Sequence, residues 1–272
     1  MNNEKKVAII MSVYKDDEAS ALVNAVNSML NQTYPCDIFI FRDGDVPANI
    51  QNIIEKIIKK PRVNFFYGDQ NVGLARSLNK LIDQVIKSDY KFIARMDSDD
   101  ISRSDRIAKQ VAYFNVHSTV DVCGTSCREF GANYALDEKH LPRTHEQLLN
   151  FSITRCPFIH PSVMFRCSVF IDGNRYPTDT ALTEDMAFWF DLLKKGYKFG
   201  NLNDVLLDYR LNENTIDRRK GIGKAISEIR IRTNSMFALR QFSLKNCLLI
   251  YSRIIFHLMP SFLVKLAYKK VR

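Results

Sequence analysis

The chain has 272 residues, of which 46% are hydrophobic and 25% charged, with a net charge of +9. This length and apolar content suffice for a sizeable core, which excludes an intrinsically disordered protein. The six cysteines are scattered through apolar segments without the close pairs of a zinc site, so we expect reduced, buried thiols. A polar start followed by only a short apolar run predicts no secretory signal, and hence a cytoplasmic protein.

The first hundred residues predict strands alternating with amphipathic helices. Short apolar runs rich in β-branched residues predict strands at residues 7–14, 37–42, 63–67 and 90–96. Apolar residues at helical spacing predict helices at about 22–30, 50–58 and 74–86. Such alternation indicates right-handed crossovers and a parallel sheet covered by helices on both faces, as in nucleotide-binding α/β domains.

Beyond residue 120 the pattern is less regular. Residues 120–130 and 160–170 are predicted to be extended, and residues 198–211 are predicted to form a loop and a strand. A helix is predicted over residues 183–195, with Thr183 as its amino-terminal cap.

Polar clusters follow each of the first four predicted strands, at residues 12–17, 43–45, 69–73 and 97–100. Ligands of parallel sheets bind at the carboxyl ends of the strands, so these clusters are expected to form one site. The chain has no glycine-rich phosphate-binding fingerprint, which argues against a dehydrogenase or an NTPase.

The fourth cluster places three carboxylates, Asp97, Asp99 and Asp100, within four positions at the end of an apolar run. Carboxylates this close repel one another unless a divalent cation or solvent compensates them. A metal site is one interpretation; a solvated turn or a helix cap is the other.

The polar clusters belong to a longer series of ordered blocks, and with this series the chain resembles the family 2 glycosyltransferases, which use nucleotide sugars and invert the anomeric carbon. The blocks are residues 12–14, 28–34, 43–44, 71–75, 97–100, 160–162 and 183–185. The resemblance covers about residues 5–215 and implies an α/β GT-A fold, with a Rossmann-like nucleotide-binding half and a mixed central sheet. It implies a catalytic domain over residues 1–215, divided into a donor half (about 5–118) and an acceptor half (about 119–215), followed by a basic helical tail over 216–272.

The resemblance also implies roles for donor-side residues. The resemblance implies that Ser12, Tyr14 and Asp43 hold the uracil and ribose of a UDP-sugar. It also implies that Arg76 and Asp97 lie near the diphosphate. A carboxylate acceptor and an aromatic face suit uracil, although Asp43-Gly44 is also a common turn and Arg76 also suits a solvated helix surface.

Asp97 and Asp99 match the family's Asp-x-Asp motif, which binds Mn²⁺ or Mg²⁺. We rank Asp99 first as the ligand that contacts the ion. We expect Asp100 either to support the ligands without contacting the ion or to face the acceptor.

On the acceptor side, the resemblance places the catalytic base at Asp185, the second acid of the Glu184-Asp185 pair. Stabilisation of the helix dipole is the alternative explanation for both acids. His160 is implied to contact the acceptor, or else to be structural. The chain departs from many relatives at Asn212, where they carry a histidine that can contact the metal or the diphosphate.

The carboxyl-terminal segment is strongly basic. Residues 218–272 contain thirteen Lys and Arg against Glu228 alone, whereas the preceding residues sum to −3. Residues 247–264 are apolar but interrupted by Arg253, His257 and Pro260, which favours an interfacial segment, flanked by cations, over a membrane-spanning helix. We therefore expect contact with an anionic membrane surface; packing on the catalytic domain or a dimer contact are the alternatives.

Together these features predict an enzyme on the inner face of the cell membrane with a lipid-linked acceptor. Its resemblance to O-antigen and capsule enzymes implies transfer of galactose or glucose from UDP, in β-1,3 linkage, onto GlcNAc-diphosphoundecaprenol. The alternatives are another donor or acceptor in polysaccharide synthesis, a nucleotidyltransferase, or a basic module that binds membrane or nucleic acid without catalysis. We expect no nucleic-acid partner, because the first 210 residues carry an acidic site.

Overall fold

The computed structural model describes residues 6–180, 183–213, 221–260 and 263–264. Its amino-terminal part alternates strands with helices, as the sequence predicts. The elements are β1 (Val7–Val13), α1 (Ala19–Leu30), β2 (Cys36–Asp43), α2 (Ala48–Ile57), β3 (Val63–Gly68), α3 (Leu74–Val85) and β4 (Phe92–Arg95).

The elements that follow are shorter and less regular. They are β5 (Ile101–Ser102), α4 (Arg106–Val116), β6 (Val122–Phe130), α5 (His145–Ser152), a 3₁₀ turn (His160–Ser162), β7 (Met164–Arg166), α6 (Ser168–Ile171), α7 (Glu184–Lys194), β8 (Phe199–Arg210), α8 (Ile222–Ala238), α9 (Leu244–Tyr251) and α10 (Arg253–Leu258). The predicted extended segment at 120–130, the helix at 183–195 and a strand within 198–211 are confirmed.

The prediction of an extended segment over residues 160–170 is wrong for most of its length. Only Met164–Arg166 form a strand there, because Pro161 lies in a 3₁₀ turn and has no N–H to donate to a sheet. The guanidinium of Arg166 donates to the carbonyl oxygens of Phe114 and Val120, and helix α6 begins two residues later.

The strands form one mixed sheet in the order β3-β2-β1-β4-β7-β6-β8-β5. Strands β1, β2, β3 and β4 run parallel to one another, whereas β7 is antiparallel to both β4 and β6. The carboxyl ends of β1, β2, β3 and β4 therefore meet at one edge of the sheet, which is where the polar clusters lie.

The core lies on both faces of the sheet, because side chains alternate along each strand. Ala8 and Ile10 of β1 pack with α3 on one face. Val7, Ile9 and Met11 pack with α1 and α2 on the other. All six cysteines are free thiols, and four of them are buried.

The basic tail is helical where the structure describes it and packs onto the rest of the fold. Met236 of α8 and Ile250 of α9 are buried in the same apolar cluster as α7. Within the described parts of the chain, no helix combines the length and hydropathy needed to cross a bilayer. Lys265, Lys269, Lys270 and Arg272, the cations expected to flank the interfacial segment, lie outside the described residues.

Candidate active site

The loop after β1 brings a carboxylate that the sequence analysis did not single out. Ser12 and Tyr14 are half-buried at the end of this strand, and the Tyr14 N–H donates to the carboxylate of Asp17 at 2.9 Å. Burial, with smaller contributions from Asp99 and Asp97, raises the pKa of Asp17 to about 7 even though hydrogen bonds oppose the shift. Asp17 therefore faces the same site as the aspartates that follow β4.

Asp43, at the end of β2, joins two of the predicted clusters. Its carboxylate is 3% exposed and accepts hydrogen bonds from the backbone N–H groups of Val72 (2.7 Å) and Gly73 (2.9 Å). Gly44 has a φ of +80°, and a Cβ there would lie 2.7 Å from the backbone nitrogen of Asn71. This close approach of two backbones explains the glycine. Arg76 is exposed in the first turn of α3, beyond the same loop.

The aspartates after β4 form a compact cluster. One carboxylate oxygen from each of Asp97, Asp99 and Asp100 lies within 4.8 Å of the others. Asp100 is fully buried, and its Oδ1 accepts the backbone N–H of Arg210 at 2.7 Å. Its Oδ2 is buried and has no hydrogen-bond partner among the described residues. The guanidinium of Arg210 donates to the carbonyl oxygen of Asp99 at 2.9 Å, so β8 fixes the backbone of this cluster.

The cluster is electrostatically unfavourable without a cation. Burial and the neighbouring charge of Asp97 raise the pKa of Asp99 to about 6. Burial together with the charges of Asp97 and Asp99 raises the pKa of Asp100 well above its ordinary range. A hard divalent cation, which prefers oxygen ligands, suits a donor set of this kind.

Arg95, the last residue of β4, is a further site residue that the sequence analysis missed. It is 1% exposed and forms an ion pair with Asp97. The apolar run that contains Arg95 predicts a buried strand, and nothing in that pattern indicates that the guanidinium turns toward the carboxylates. The pair neutralises part of the charge on Asp97, which leaves Asp99 the less compensated of the two.

Glu184 and Asp185 occupy the first turn of α7. The carboxylate of Asp185 accepts the backbone N–H of Met186 at 2.7 Å and lies 3.9 Å from the Sγ of Cys156. Burial, and then the charge of Asp185, raise the pKa of Glu184. Thr183 is the residue before the helix, as predicted, but its hydroxyl pairs with the hydroxyl of Ser227 at 3.1 Å instead of capping a helix N–H.

His160 begins the 3₁₀ turn that precedes β7. Its Nε2 is 3.0 Å from the hydroxyl of Tyr176, a buried residue that the sequence analysis did not identify. Burial and the positive charge of Arg95 lower the pKa of His160 well below 6.5, so its imidazole is neutral at neutral pH. Asn212 lies just beyond β8, and its backbone carbonyl accepts the hydroxyl of Tyr134 at 2.7 Å.

Residues 8–173 match the family model for glycosyl transferase family 2, which is more than half of the chain. The chain belongs to this family. The UDP-Gal:alpha-D-GlcNAc-diphosphoundecaprenol beta-1,3-galactosyltransferase of Escherichia coli is 30% identical to this family 2 chain. The alignment covers 98% of this chain and 96% of the Escherichia coli protein. The amylovoran biosynthesis glycosyltransferase AmsE of Erwinia amylovora is 25% identical over 97% and 98%, respectively.

Solved glycosyltransferase structures share the fold of this family 2 chain. Residues 1–349 of Staphylococcus aureus TarS, in complex with UDP-GlcNAc, align with a TM-score of 0.66 at 16% identity, over 87% of the chain and 71% of that structure. The mannosyltransferase PcManGT of Pyrobaculum calidifontis, in complex with GDP-Man and Mn²⁺, aligns with a TM-score of 0.63 at 14% identity. The alignment covers 98% of this chain and 86% of PcManGT. The predicted GT-A fold is thus confirmed. The chain spans 44% of the longer TarS chain.

Proposed function

We propose that this chain transfers galactose or glucose from a UDP-sugar, with inversion and in β-1,3 linkage, onto GlcNAc-diphosphoundecaprenol during assembly of a polysaccharide repeat unit. The observation that carries the proposal is 30% identity to the Escherichia coli galactosyltransferase along 98% of the chain. The carboxylates at the carboxyl ends of the strands supply the chemistry that such a transfer needs.

For the donor, we propose that Ser12, Tyr14 and Asp43 hold the uridine, with Arg76 and Asp97 near the diphosphate. Asp43 already accepts two backbone N–H groups, but each of its oxygens retains a second acceptor position for the uracil imide. Exposed Arg76 lies at the start of α3, and an arginine there suits the double negative charge of a diphosphate.

We propose that Asp99 and Asp97, supported by Asp100, hold Mn²⁺ or Mg²⁺. The fit is supported by the three clustered carboxylates and by the buried, unpartnered Oδ2 of Asp100. A divalent ion bound there supplies Lewis-acid stabilisation of the charge that develops on the departing diphosphate. Arg95 holds Asp97 through their ion pair, so Asp99 is the preferred direct ligand.

Asp185 acts as the general base in this proposal. It takes the proton of the acceptor hydroxyl as that oxygen attacks the anomeric carbon, and the bond to UDP breaks with its electron pair remaining on the diphosphate. Helix α7 gives Asp185 a rigid support, and the Met186 N–H orients one of its oxygens. Glu184 lies beside it in the first turn of α7, where its carboxyl group can hydrogen-bond a sugar hydroxyl.

His160 contacts the acceptor as a neutral imidazole. Its Nε2 is occupied by the Tyr176 hydroxyl, so Nδ1 is the nitrogen left to meet a sugar hydroxyl. A neutral ring suits an uncharged sugar and does not compete with the divalent ion for the diphosphate.

We further propose that the basic tail contacts an anionic membrane surface, which would place the enzyme on the inner face of the cell membrane beside a lipid-linked acceptor. Most of the large apolar side chains that are exposed among the described residues belong to the tail, from Ile222 to Leu263. Cationic residues next to exposed apolar surface are typical of interfacial helices.

A radiolabelled transfer assay tests the proposal. UDP-Gal and UDP-Glc are offered in parallel to a synthetic GlcNAc-diphosphate-lipid, with Mn²⁺ and with or without chelator. We expect product from one donor, abolished by chelator and restored by added metal. The linkage of the product is then read by methylation analysis.

Two results would redirect the assignment. Donor hydrolysis without transfer would retain the UDP-sugar site and discard the acceptor; this would favour the alternative of another acceptor in capsule or exopolysaccharide synthesis, to which the similarity with AmsE points. Absence of turnover with both donors, despite binding of UDP, would exclude galactose and glucose as the transferred sugar.

A further inference from the structure

The tail carries a buried charged cluster that does not belong to the active site. Glu228 of α8 is 6% exposed, and its carboxylate meets the guanidinium groups of Arg232 (3.0 Å) and Arg253 (2.7 Å) and the imidazole of His257 (3.2 Å). We call these four residues the Glu228 cluster. A buried charged group is costly unless it is fully paired, so a cluster of this kind calls for a role.

The arginines of the Glu228 cluster bind the backbone at the carboxyl end of helix α5 and directly after it. Arg232 donates to the carbonyl oxygens of Ser152 (2.8 Å) and Ile153 (3.1 Å), and Arg253 donates to that of Thr154 (2.8 Å). Three consecutive carbonyls are thus fixed by two side chains that a single glutamate holds in place. Cations at a helix carboxyl terminus also suit the negative end of its dipole.

This backbone leads directly to the proposed catalytic base. Two residues after Thr154, the Sγ of Cys156 lies 3.9 Å from Oδ2 of Asp185 and is placed to donate its proton to it. Burial and the charge of Asp185 raise the pKa of the Cys156 thiol to about 12, so the group remains a protonated donor.

A second contact reaches the same helix start from the other side. Ser227, the neighbour of Glu228 on α8, pairs its hydroxyl with that of Thr183, two residues before Asp185. Helix α8 therefore touches both segments that flank the carboxylate of Asp185. Its hold on these segments does not depend on any contact with substrate.

We propose that the Glu228 cluster and Ser227 position the carboxylate of Asp185. Arg232 and Arg253 act through the backbone of residues 152–154 and Cys156. Ser227 acts through Thr183. These are positioning residues, since none of them needs to touch the sugar. The inference rests on the proposed role of Asp185. It predicts that loosening the tail lowers turnover without weakening the binding of the donor.

Two variants test the proposal, with a matched control. Ser227→Ala removes only the hydroxyl that holds Thr183, and Arg253→Gln removes the donor to Thr154. Arg230→Gln is the control, because Arg230 is exposed on the same helix. We expect kcat to fall about 3- to 10-fold for Ser227→Ala and about 10- to 100-fold for Arg253→Gln, because small misplacements of a catalytic group are costly. The KM for the UDP-sugar should stay constant, and Arg253→Lys should restore part of the lost kcat.

A thiol-labelling measurement keeps the test independent of turnover. Alkylation of Cys156 is followed by peptide mass spectrometry, with fully buried Cys123 as an internal reporter of global unfolding. Both test variants should accelerate labelling of Cys156 severalfold and leave that of Cys123 unchanged, and the control should alter neither.

Wild-type rates of Cys156 labelling and wild-type kcat in both variants would overturn the positioning role. A lower melting temperature with unchanged kcat per folded molecule would do the same and would leave a purely structural cluster. Failure of the wild type to transfer sugar would count against the proposed function only, because the labelling rates would still report whether the tail holds Cys156 in place.

Discussion

The proposed base has a natural comparator on its own helix, because Asp185 lies in the first turn of α7 whereas Asp191 pairs with Lys194 further along it. We expect Asp185→Asn to lower kcat by about 10²- to 10⁴-fold, the usual contribution of a general base, because the amide cannot accept the acceptor's proton. UDP affinity, measured by calorimetry, should stay at the wild-type value. Asp191→Asn, which removes only a surface ion pair with Lys194, should retain activity. Wild-type turnover in Asp185→Asn would rule out the assignment.

The metal site makes a separate prediction. Asp99→Asn removes a carboxylate from the cluster, so we expect the apparent affinity for Mn²⁺ to fall about 10-fold or more and turnover at saturating donor to fall with it. Asp105→Asn is the control, because Asp105 is a half-exposed partner of Lys109 outside the cluster. Titration of activity with Mn²⁺ after chelator treatment provides the measurement. An unchanged metal dependence in Asp99→Asn would move the ligand to another carboxylate.

Local pattern explains which site residues were predictable. Asp97, Asp99 and Asp100 lie within four positions of the chain, and Glu184 and Asp185 begin a helix whose following residues are mostly apolar, so the grouping of these acids can be predicted from sequence. Cys156 was not predictable, because its contact with Asp185 joins positions 29 residues apart. Arg95 and Tyr176 were missed for the same reason: their roles depend on which buried groups they meet after folding.

At the scale of elements, the turn between β2 and α2 carries the sharpest test. Gly44→Ala would place a Cβ 2.7 Å from a backbone nitrogen at a φ of +80°, so the loop after β3 must move. We expect a loss of about 1–3 kcal/mol in the free energy of unfolding and a higher KM for the UDP-sugar, because the Asp43 contacts lie at this junction. Chemical denaturation and initial rates measure the two effects.

Gly223→Ala is the matched control for that substitution. Gly223 lies in α8, and no described residue comes within 4 Å of the place that a Cβ would occupy, so alanine should stabilise the helix by about 0.5–1 kcal/mol. If Gly44→Ala proved as harmless as Gly223→Ala, the two loops would not be held as closely as the structure indicates.

The elements themselves were predictable in proportion to their regularity. Strands β1 to β4 are short apolar runs and helices α1 to α3 repeat apolar residues at helical spacing, so the sequence places them with small shifts at their ends. Residues 160–170 were harder because an apolar run does not reveal that Arg166 turns its guanidinium to the carbonyls of Phe114 and Val120, or that a helix starts at Ser168. The pairing of β8 with β5, a strand of two residues, leaves almost no local signal.

At the scale of the whole molecule, the Glu228 cluster makes stability depend on pH. Burial alone would raise the pKa of Glu228, but the charges of Arg232 and Arg253 and the hydrogen bond with His257 outweigh it and hold this pKa at about 2. The folded-state pKa is lowered, so the stabilisation is complete above pH 4.5 and is lost as the pH falls toward 2. It amounts to roughly 3 kcal/mol.

Denaturation of wild type and Glu228→Gln across pH 2–7 checks this dependence. The variant should be less stable at neutral pH, and the gap should close toward pH 2, where the wild-type carboxyl is protonated as well. A gap that stays constant with pH would show that the glutamate contributes by packing and not by charge.

The exposed face of the tail gives the last prediction. Leu248 and Ile255 are 73% and 64% exposed, and burying such side chains in a lipid interface stabilises binding by about 1.5–3 kcal/mol each. Replacing both by glutamate should weaken co-sedimentation with vesicles containing phosphatidylglycerol by about 10-fold or more. Val116→Glu, at a 78% exposed position on α4, should leave it unchanged. Equal binding of all three proteins would contradict membrane contact through this face.

The bonds from Arg210 to Asp99 and Asp100 have a consequence for building hybrid enzymes. A chimera that joins residues up to about 118 of one relative to the following residues of another separates these aspartates from the strand that orients them. A hybrid with a new sugar specificity should therefore take β8 and residues 97–102 from the same relative. Hybrids that take β8 from the second relative should hold these aspartates in an altered geometry, which would weaken the proposed metal site.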